Sequence, residues 1–177
     1  AVSPESIAEN AANGTASGTV TRRYADTSSA LTVFLTSSDT SEASVPVSVT
    51  IAARQASAIF QIGVINDTIV DGTQTVIVTA SAAGLQSATG TILVTDDDTA
   101  TFSVQDVTVS ETAGTLTLAV SLSMALDIAI DIDIKFSDGS ATGSGTDYDS
   151  ATRTVHFVAG STTAQTIALA IIDDDFV

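Results

Sequence analysis

The feature that most constrains this chain is a two-residue rhythm of apolar side chains. Leu31, Val33 and Leu35 alternate with Thr32, Phe34 and Thr36, and Val45, Val47, Val49 and Ile51 alternate with Pro46, Ser48 and Thr50. A strand sends successive side chains to opposite faces, so this rhythm marks β-strands buried on one side. The same pattern predicts strands over 59–65, 75–80, 91–95, 115–122, 128–136, 154–158 and 166–172. Turn signals fall between them at Gly14, Gly72, Gly84, Asp138-Gly139 and Gly160. Many short strands at such spacing point to an all-β sandwich. Pro46 has no N–H to give a ladder, so its strand is expected at a sheet edge or beside a bulge. No window of ten residues carries a helical period, and the acids do not favour helix either. Of 21 acidic residues only Glu5, Glu9, Glu42 and Glu111 are Glu, and Asp prefers caps, turns and metal loops.

The pattern also repeats on a longer scale. Residues 62–70, Ile-Gly-Val-Ile-Asn-Asp-Thr-Ile-Val, align with residues 169–177, Leu-Ala-Ile-Ile-Asp-Asp-Asp-Phe-Val, at an offset of 107. Upstream, Ser6-Ile7-Ala8-Glu9 aligns with Thr108-Val109-Ser110-Glu111 at an offset of 102. Two modules are therefore expected, 1–98 and 99–177. The second has no counterpart of residues 71–98 and so lacks its last two strands. A sandwich short of two strands exposes an edge and an apolar face, which invites homo-oligomerisation or a strand swap.

Charge narrows the function. Five Lys and Arg stand against 21 acids, a net charge of −16, which leaves no cationic face for phosphates or anionic lipid. A nucleic-acid or membrane-surface partner is not expected. A hydrophobic content of 44% is nonetheless too high for a chain held open by its charge. No apolar run approaches the roughly 20 residues that span a bilayer, so direct membrane insertion is not expected. The N-terminus has no basic start followed by an apolar stretch, and the chain reads as a soluble segment of a larger protein. With no Cys, thiolate metal sites and disulfides are excluded, and a bound cation is the remaining staple.

The acids gather at strand ends. Glu9 follows the first strand, Asp67 and Asp71 follow Ile65, Asp96, Asp97 and Asp98 follow Thr95, and Asp173, Asp174 and Asp175 follow Ile172. If these ends share one pole, several carboxylates meet there and repel, and a divalent cation relieves them. Oxygen-only ligands select a hard ion, and a flexible carboxylate set favours Ca²⁺ over Mg²⁺. The lone His156 alternates with Val155 and Phe157 and is read as facing outward. No nucleophile elbow or triad spacing is present, there is no Trp, and aromatic residues make up 5%, so the chain is read as no enzyme.

Phe136-Ser137-Asp138-Gly139-Ser140-Ala141-Thr142, Gly145-Thr146-Asp147-Tyr148, residues 155–160 and Ile171-Ile172-Asp173-Asp174-Asp175 together resemble the Calx-β family. These are immunoglobulin-like modules of sodium/calcium exchangers, integrin β4 and large bacterial surface proteins. The first module keeps the strand-then-acid segment 64–71 and the closing Ile92-Leu93-Val94-Thr95-Asp96-Asp97-Asp98. The resemblance implies immunoglobulin-like antiparallel β-sandwich repeats, one complete with seven strands and one truncated, whose distal loops bind Ca²⁺. It places metal ligands at Glu9, Asp67, Asp71, Asp96, Asp97 and Asp98 in the first module, and at Glu111, Asp147, Asp173 and Asp174 in the second. Asn66 stands in place of an Asp, Gln74 in place of a Glu, and Asp39 is only a loose substitute for the loop Asp. The expected role is a calcium-binding structural repeat of a secreted or cell-surface adhesion protein. Its partners are calcium ions and neighbouring repeats, and the ion stiffens the junction near Asp96–Asp98. A calcium-independent spacer and a calcium sensor are the alternatives.

Overall fold

The computed structural model describes residues 1–23 and 27–174 and divides into two compact units. Unit 1 comprises residues 1–67 and 71–97, and unit 2 comprises residues 68–70 and 98–177. Among the described residues both are built of strands, with one short 3₁₀ turn at Glu111–Ala113.

Unit 1 is a sandwich of two sheets. Its strands are β1 (Val2–Ser3), β2 (Ser6–Ala8), β3 (Ala16–Thr21), β4 (Leu31–Ser37), β5 (Ala43–Ser44), β6 (Ser48–Ile51) and β7 (Ser57–Val64). After β8 (Ile69–Val70), which groups with unit 2, come β9 (Gln74–Ser81) and β10 (Ala88–Thr95). One sheet has the order β1-β3-β7-β5 and the other β2-β10-β9-β4-β6. All pairs are antiparallel except β2 with β10, where Ser6, Ile7 and Ala8 run parallel to Leu93, Val94 and Thr95. The alternating residues do face inward: Val33, Leu35, Ile51, Phe60, Ile62, Val76, Val78, Ile92 and Val94 form one buried cluster.

Two departures from the sequence reading have physical causes. The run 45–51 is not one strand, because the chain breaks at Pro46 and changes sheets. β5 pairs with β7 and β6 pairs with β4 at the sheet edge, while Val47 is left 79% exposed. Pro46 thus falls where no ladder bond is needed. The second departure is β3, which carries too few large apolar residues to register as a strand. Its Gly18 lies opposite Phe60, and a Cβ there would sit 2.1 Å from the ring Cζ. The Phe60 ring fills the volume that a side chain would take, so a weak strand former is required inside a central pair.

Unit 2 repeats the scheme with fewer strands. β11 (Phe102–Val104), β12 (Thr115–Leu122) and β16 (Gln165–Ala170) form one antiparallel sheet in the order β11-β12-β16. β14 (Ile130–Ile134) pairs with β15 (Arg153–Phe157), and β13 (Ala125–Leu126) runs parallel to β8. Its buried cluster, Val120, Leu122, Val155, Phe157 and Ile167, is smaller than that of unit 1. Tyr148 is buried, meets Phe136 edge-on at 6.2 Å and donates its hydroxyl proton to Asp138 Oδ1 at 2.9 Å.

A methyl group at position 18 must displace the Phe60 ring or the strand beneath it. Gly18→Ala is expected to destabilise unit 1 by about 1–3 kcal/mol. The penalty should shrink on a Phe60→Leu background, read as coupling in a double-mutant cycle of urea denaturation.

Candidate metal centres

The register of β2 on β10 decides where the first acids meet. Because Ala8 lies beside Thr95, the chain delivers Glu9 and Asp96 side by side at the next step, and the Glu9 N–H donates to the Thr95 carbonyl at 3.0 Å. Oxygens of Glu9, Asp96 and Asp98 all lie within 4.8 Å of one another. Glu9 is 3% exposed, and its Oε1 accepts the Asp97 N–H at 3.4 Å. Asp96 Oδ2 accepts the backbone N–H groups of Asp71 and Gly72 at 3.0 and 2.8 Å, which ties the loop after β8 to this cluster. Asp97 points away, is exposed and accepts a hydrogen bond from the Asn10 side chain.

Beside them sits Glu42, which the sequence reading did not include. It is 5% exposed, and burial pushes its carboxyl up to about 7, helped by the charges of Asp71, Asp39, Asp67 and Glu9. Its carbonyl accepts the Ile65 N–H at 2.9 Å, as the Asp147 carbonyl accepts the Ile172 N–H at 2.9 Å in unit 2. The internal alignment pairs Ile65 with Ile172, so Glu42 occupies in unit 1 the place of Asp147. The loose substitute Asp39 is instead engaged in its own turn. Its Oδ1 accepts the Ser41 hydroxyl and N–H, which hold its carboxyl below the usual range. The missed signal was position rather than motif: Glu42 immediately precedes β5, whose Ala43 pairs with Val64 at the end of β7.

In unit 2, oxygens of Glu111, Asp147 and Asp174 lie within 4.8 Å of one another. Glu111 opens the 3₁₀ turn, Asp147 comes from the loop between β14 and β15, and Asp174 follows β16. The Asp174 N–H donates to Glu111 Oε1 at 3.3 Å, and Asp147 Oδ2 accepts the Thr142 N–H at 2.6 Å. Asp173 is exposed and falls outside this trio, while Asp175 lies outside the described residues. Asp67 and Asp71 belong to neither trio and act on Glu42 through their charge. His156 does face outward, with Nδ1 2.7 Å from Asp131 Oδ1 across the β14–β15 pair.

Both trios consist of carboxylates alone, a donor set that suits a hard, oxygen-seeking cation. In unit 1 a carboxyl that burial, helped by four neighbouring acids, pushes up to about 7 fits a place where positive charge belongs.

Residues 94–177 match the family model of the Calx-beta domain. No curated protein matches the chain significantly in sequence. Among solved structures, CBD12 from CALX1.2 is 21% identical with a TM-score of 0.41, the match covering 97% of this chain and 73% of that one. The calcium binding domain CBD12 of CALX1.1 is 18% identical with a TM-score of 0.40, covering 96% and 73%.

Glu42 makes metal-free unit 1 sensitive to pH in a defined direction. Its folded-state value of about 7 lies above the model-peptide 4.5, so the folded unit holds a proton that the unfolded chain has lost. Glu42-dependent stability is full below pH 4.5 and is lost as pH rises through about 7, on the order of 3 kcal/mol in all. In chelator, Glu42→Gln should remove this component and leave unit 1 more stable than wild type at pH 8, measured by urea denaturation at pH 5 and pH 8.

Proposed function

With residues 94–177 matching the Calx-beta family as its premise, we propose that this chain is a pair of calcium-binding structural modules from a larger adhesion protein, secreted or displayed at a cell surface. The observation that carries the reading is the first carboxylate trio. Glu9, Asp96 and Asp98 bring oxygens within 4.8 Å of one another, beside a Glu42 that burial and neighbouring charge keep near its protonated form. Ca²⁺ supplies the missing positive charge, accepts six to eight oxygen ligands and tolerates irregular geometry. Glu9, Asp96 and Asp98 would hold the ion, and Glu42 and Asp71 would gain from its charge. Glu111, Asp147 and Asp174 would do the same in unit 2.

Asp96 and Asp97 close the first unit in sequence and Asp98 opens the second. An ion bound to this stretch neutralises a connection that would otherwise repel itself, and so restricts bending of the linker. The role is that of a spacer: at the millimolar Ca²⁺ found outside cells the ion is a permanent structural part. A site with Kd near 10 μM, at ~1 mM free ion, adds about 3 kcal/mol to the folded state. The reading is of a binding and structural module, not of an enzyme. The preponderance of Thr, Ser and Ala in the strands and the scarcity of Lys support the extracellular setting.

Calorimetric titration with CaCl₂ should show saturable heat, and the melting temperature should rise by several degrees over that in chelator. Asp96→Asn with Asp98→Asn should abolish most of that rise, because the amides keep the hydrogen-bond acceptors and lose the charge. Asp97→Asn should leave most of it. Equal melting curves with and without chelator would sink the calcium reading.

A further inference from the structure

The chain has three asparagines, Asn10, Asn13 and Asn66, and all of them line one open pocket of about 420 Å³ in unit 1, together with the buried Glu9 and Val64. Asn10 and Asn13 lie in the loop from β2 to β3, and Asn66 follows β7. Two of the three are engaged. Asn10 gives its Nδ2 to Asp97 Oδ2, and the next N–H in the chain, that of Ala11, donates to the Ala8 carbonyl at 3.0 Å. Asn66 Nδ2 donates to the Asp67 carbonyl at 3.4 Å.

Asn13 is placed differently. The N–H and hydroxyl of Thr15 both donate to the Ala12 carbonyl, at 3.3 and 2.8 Å, and close a turn with Asn13 and Gly14 at its two central positions. Asn13 is exposed, and among the described residues neither its side chain nor the Gly14 N–H makes a hydrogen bond. Gly14 has φ 88° and no Cβ to shield its nitrogen. Nothing therefore holds the Asn13 amide away from that nitrogen. Asn10 and Asn66 are followed instead by Ala11 and Asp67, whose side chains obstruct the same approach. Unit 2 supplies an internal comparison. Gly114, φ 70°, likewise stands just before β12, but Ala113 precedes it, so the reactive pair belongs to unit 1.

We propose that Asn13 is a self-modifying site, at which the folded protein converts a neutral amide into a carboxylate beside Glu9 as it ages. The Gly14 nitrogen, having lost its proton to solvent base, attacks Asn13 Cγ. The new N–Cγ bond closes a cyclic imide, the Cγ–Nδ2 bond breaks, and Nδ2 leaves as ammonia with a proton from water. A water molecule then opens the imide. Cleavage at the new N–Cγ bond leaves an aspartate at position 13, and cleavage on the main-chain side leaves an isoaspartate, in each case with one carboxylic proton released to solvent. Water is the only co-reactant.

The product adds a negative charge to the wall that position 13 shares with Glu9, one of the trio Glu9, Asp96 and Asp98. Its effect on cation binding, and that effect alone, rests on the calcium reading: one more exposed carboxylate near the ion tightens binding by roughly two- to fivefold.

The full 177-residue protein is incubated at pH 7 and at pH 8 beside a free peptide of residues 9–17. Samples are then unfolded, digested and followed by mass spectrometry, with aspartate and isoaspartate separated by chromatography. The expected result is conversion confined to position 13, faster at the higher pH and at a rate close to that of the free peptide, with Asn10 and Asn66 intact. Gly14→Ala should slow it by roughly tenfold or more, since a Cβ then covers the attacking nitrogen. Because alanine is strained at this φ, Asn13→Ser is the second variant, and it should yield no new acid between residues 9 and 17. The proposal is overturned if Asn13 stays an amide in the folded protein while the peptide converts, or if Asn10 or Asn66 converts first. Asn13→Asp, titrated with CaCl₂ against the fresh protein, should bind more tightly, and equal affinity overturns the effect on the ion. Absence of calcium binding in both, with conversion at Asn13 observed, would strike the metal reading and leave the modification standing.

Discussion

Repulsion among carboxylates gathered at strand ends is the constraint on which the rest of this structure depends. A β-sandwich fixes where its strands stop, and here the stops are followed by acids that cannot move apart without giving up register. Glu9 is held by its place after β2, Asp96 by its place after β10, and Glu42 by its place before β5. Because these positions are set by main-chain hydrogen bonds and by a buried core, side-chain repulsion cannot relax them. Burial first, and the charges of Asp71, Asp39, Asp67 and Glu9 after it, push the Glu42 carboxyl up to about 7. The strain is therefore electrostatic rather than conformational, and either a proton or a cation relieves it.

The two units resolve the same problem with different residues. The backbone bonds from Ile65 to Glu42 and from Ile172 to Asp147 define one position occupied by a Glu in one unit and an Asp in the other. Around it the companions differ. Glu9 meets acids delivered by β10, whereas Glu111 meets Asp174 at the end of β16.

What the sequence shows depends on how local the physics is. Alternation is local, so β4, β9 and β10 were legible, and so was the placing of acids beyond strand ends. β3 was not, because the reason for Gly18 is a ring 42 positions away in the chain, that of Phe60. The run through Pro46 was legible as strand but not as a change of sheet, since alternation says nothing about which partner a strand takes. Glu42 was passed over for Asp39 because a short acidic turn residue looks like a loop ligand. Only the hydrogen bonds of Asp39 to Ser41 show that it is already satisfied. Asp97 illustrates the same limit, for a triplet of acids reads as one cluster although its middle member turns to Asn10.

Closure of the core and assembly of the charge cluster are linked in unit 1, because one hairpin does both. β10 buries Ile92 and Val94 and, one residue past its end, delivers Asp96. Apolar burial of such side chains is worth about 2 kcal/mol each, so the whole buried core of unit 1 outweighs the repulsion among a few carboxylates, about 4 kcal/mol for a pair 4 Å apart near a protein surface. The order of dependence follows from these magnitudes. The hairpin does not seat because a cation draws its acids in; the acids are near one another because the hairpin is seated, and the cation then finds a site ready made.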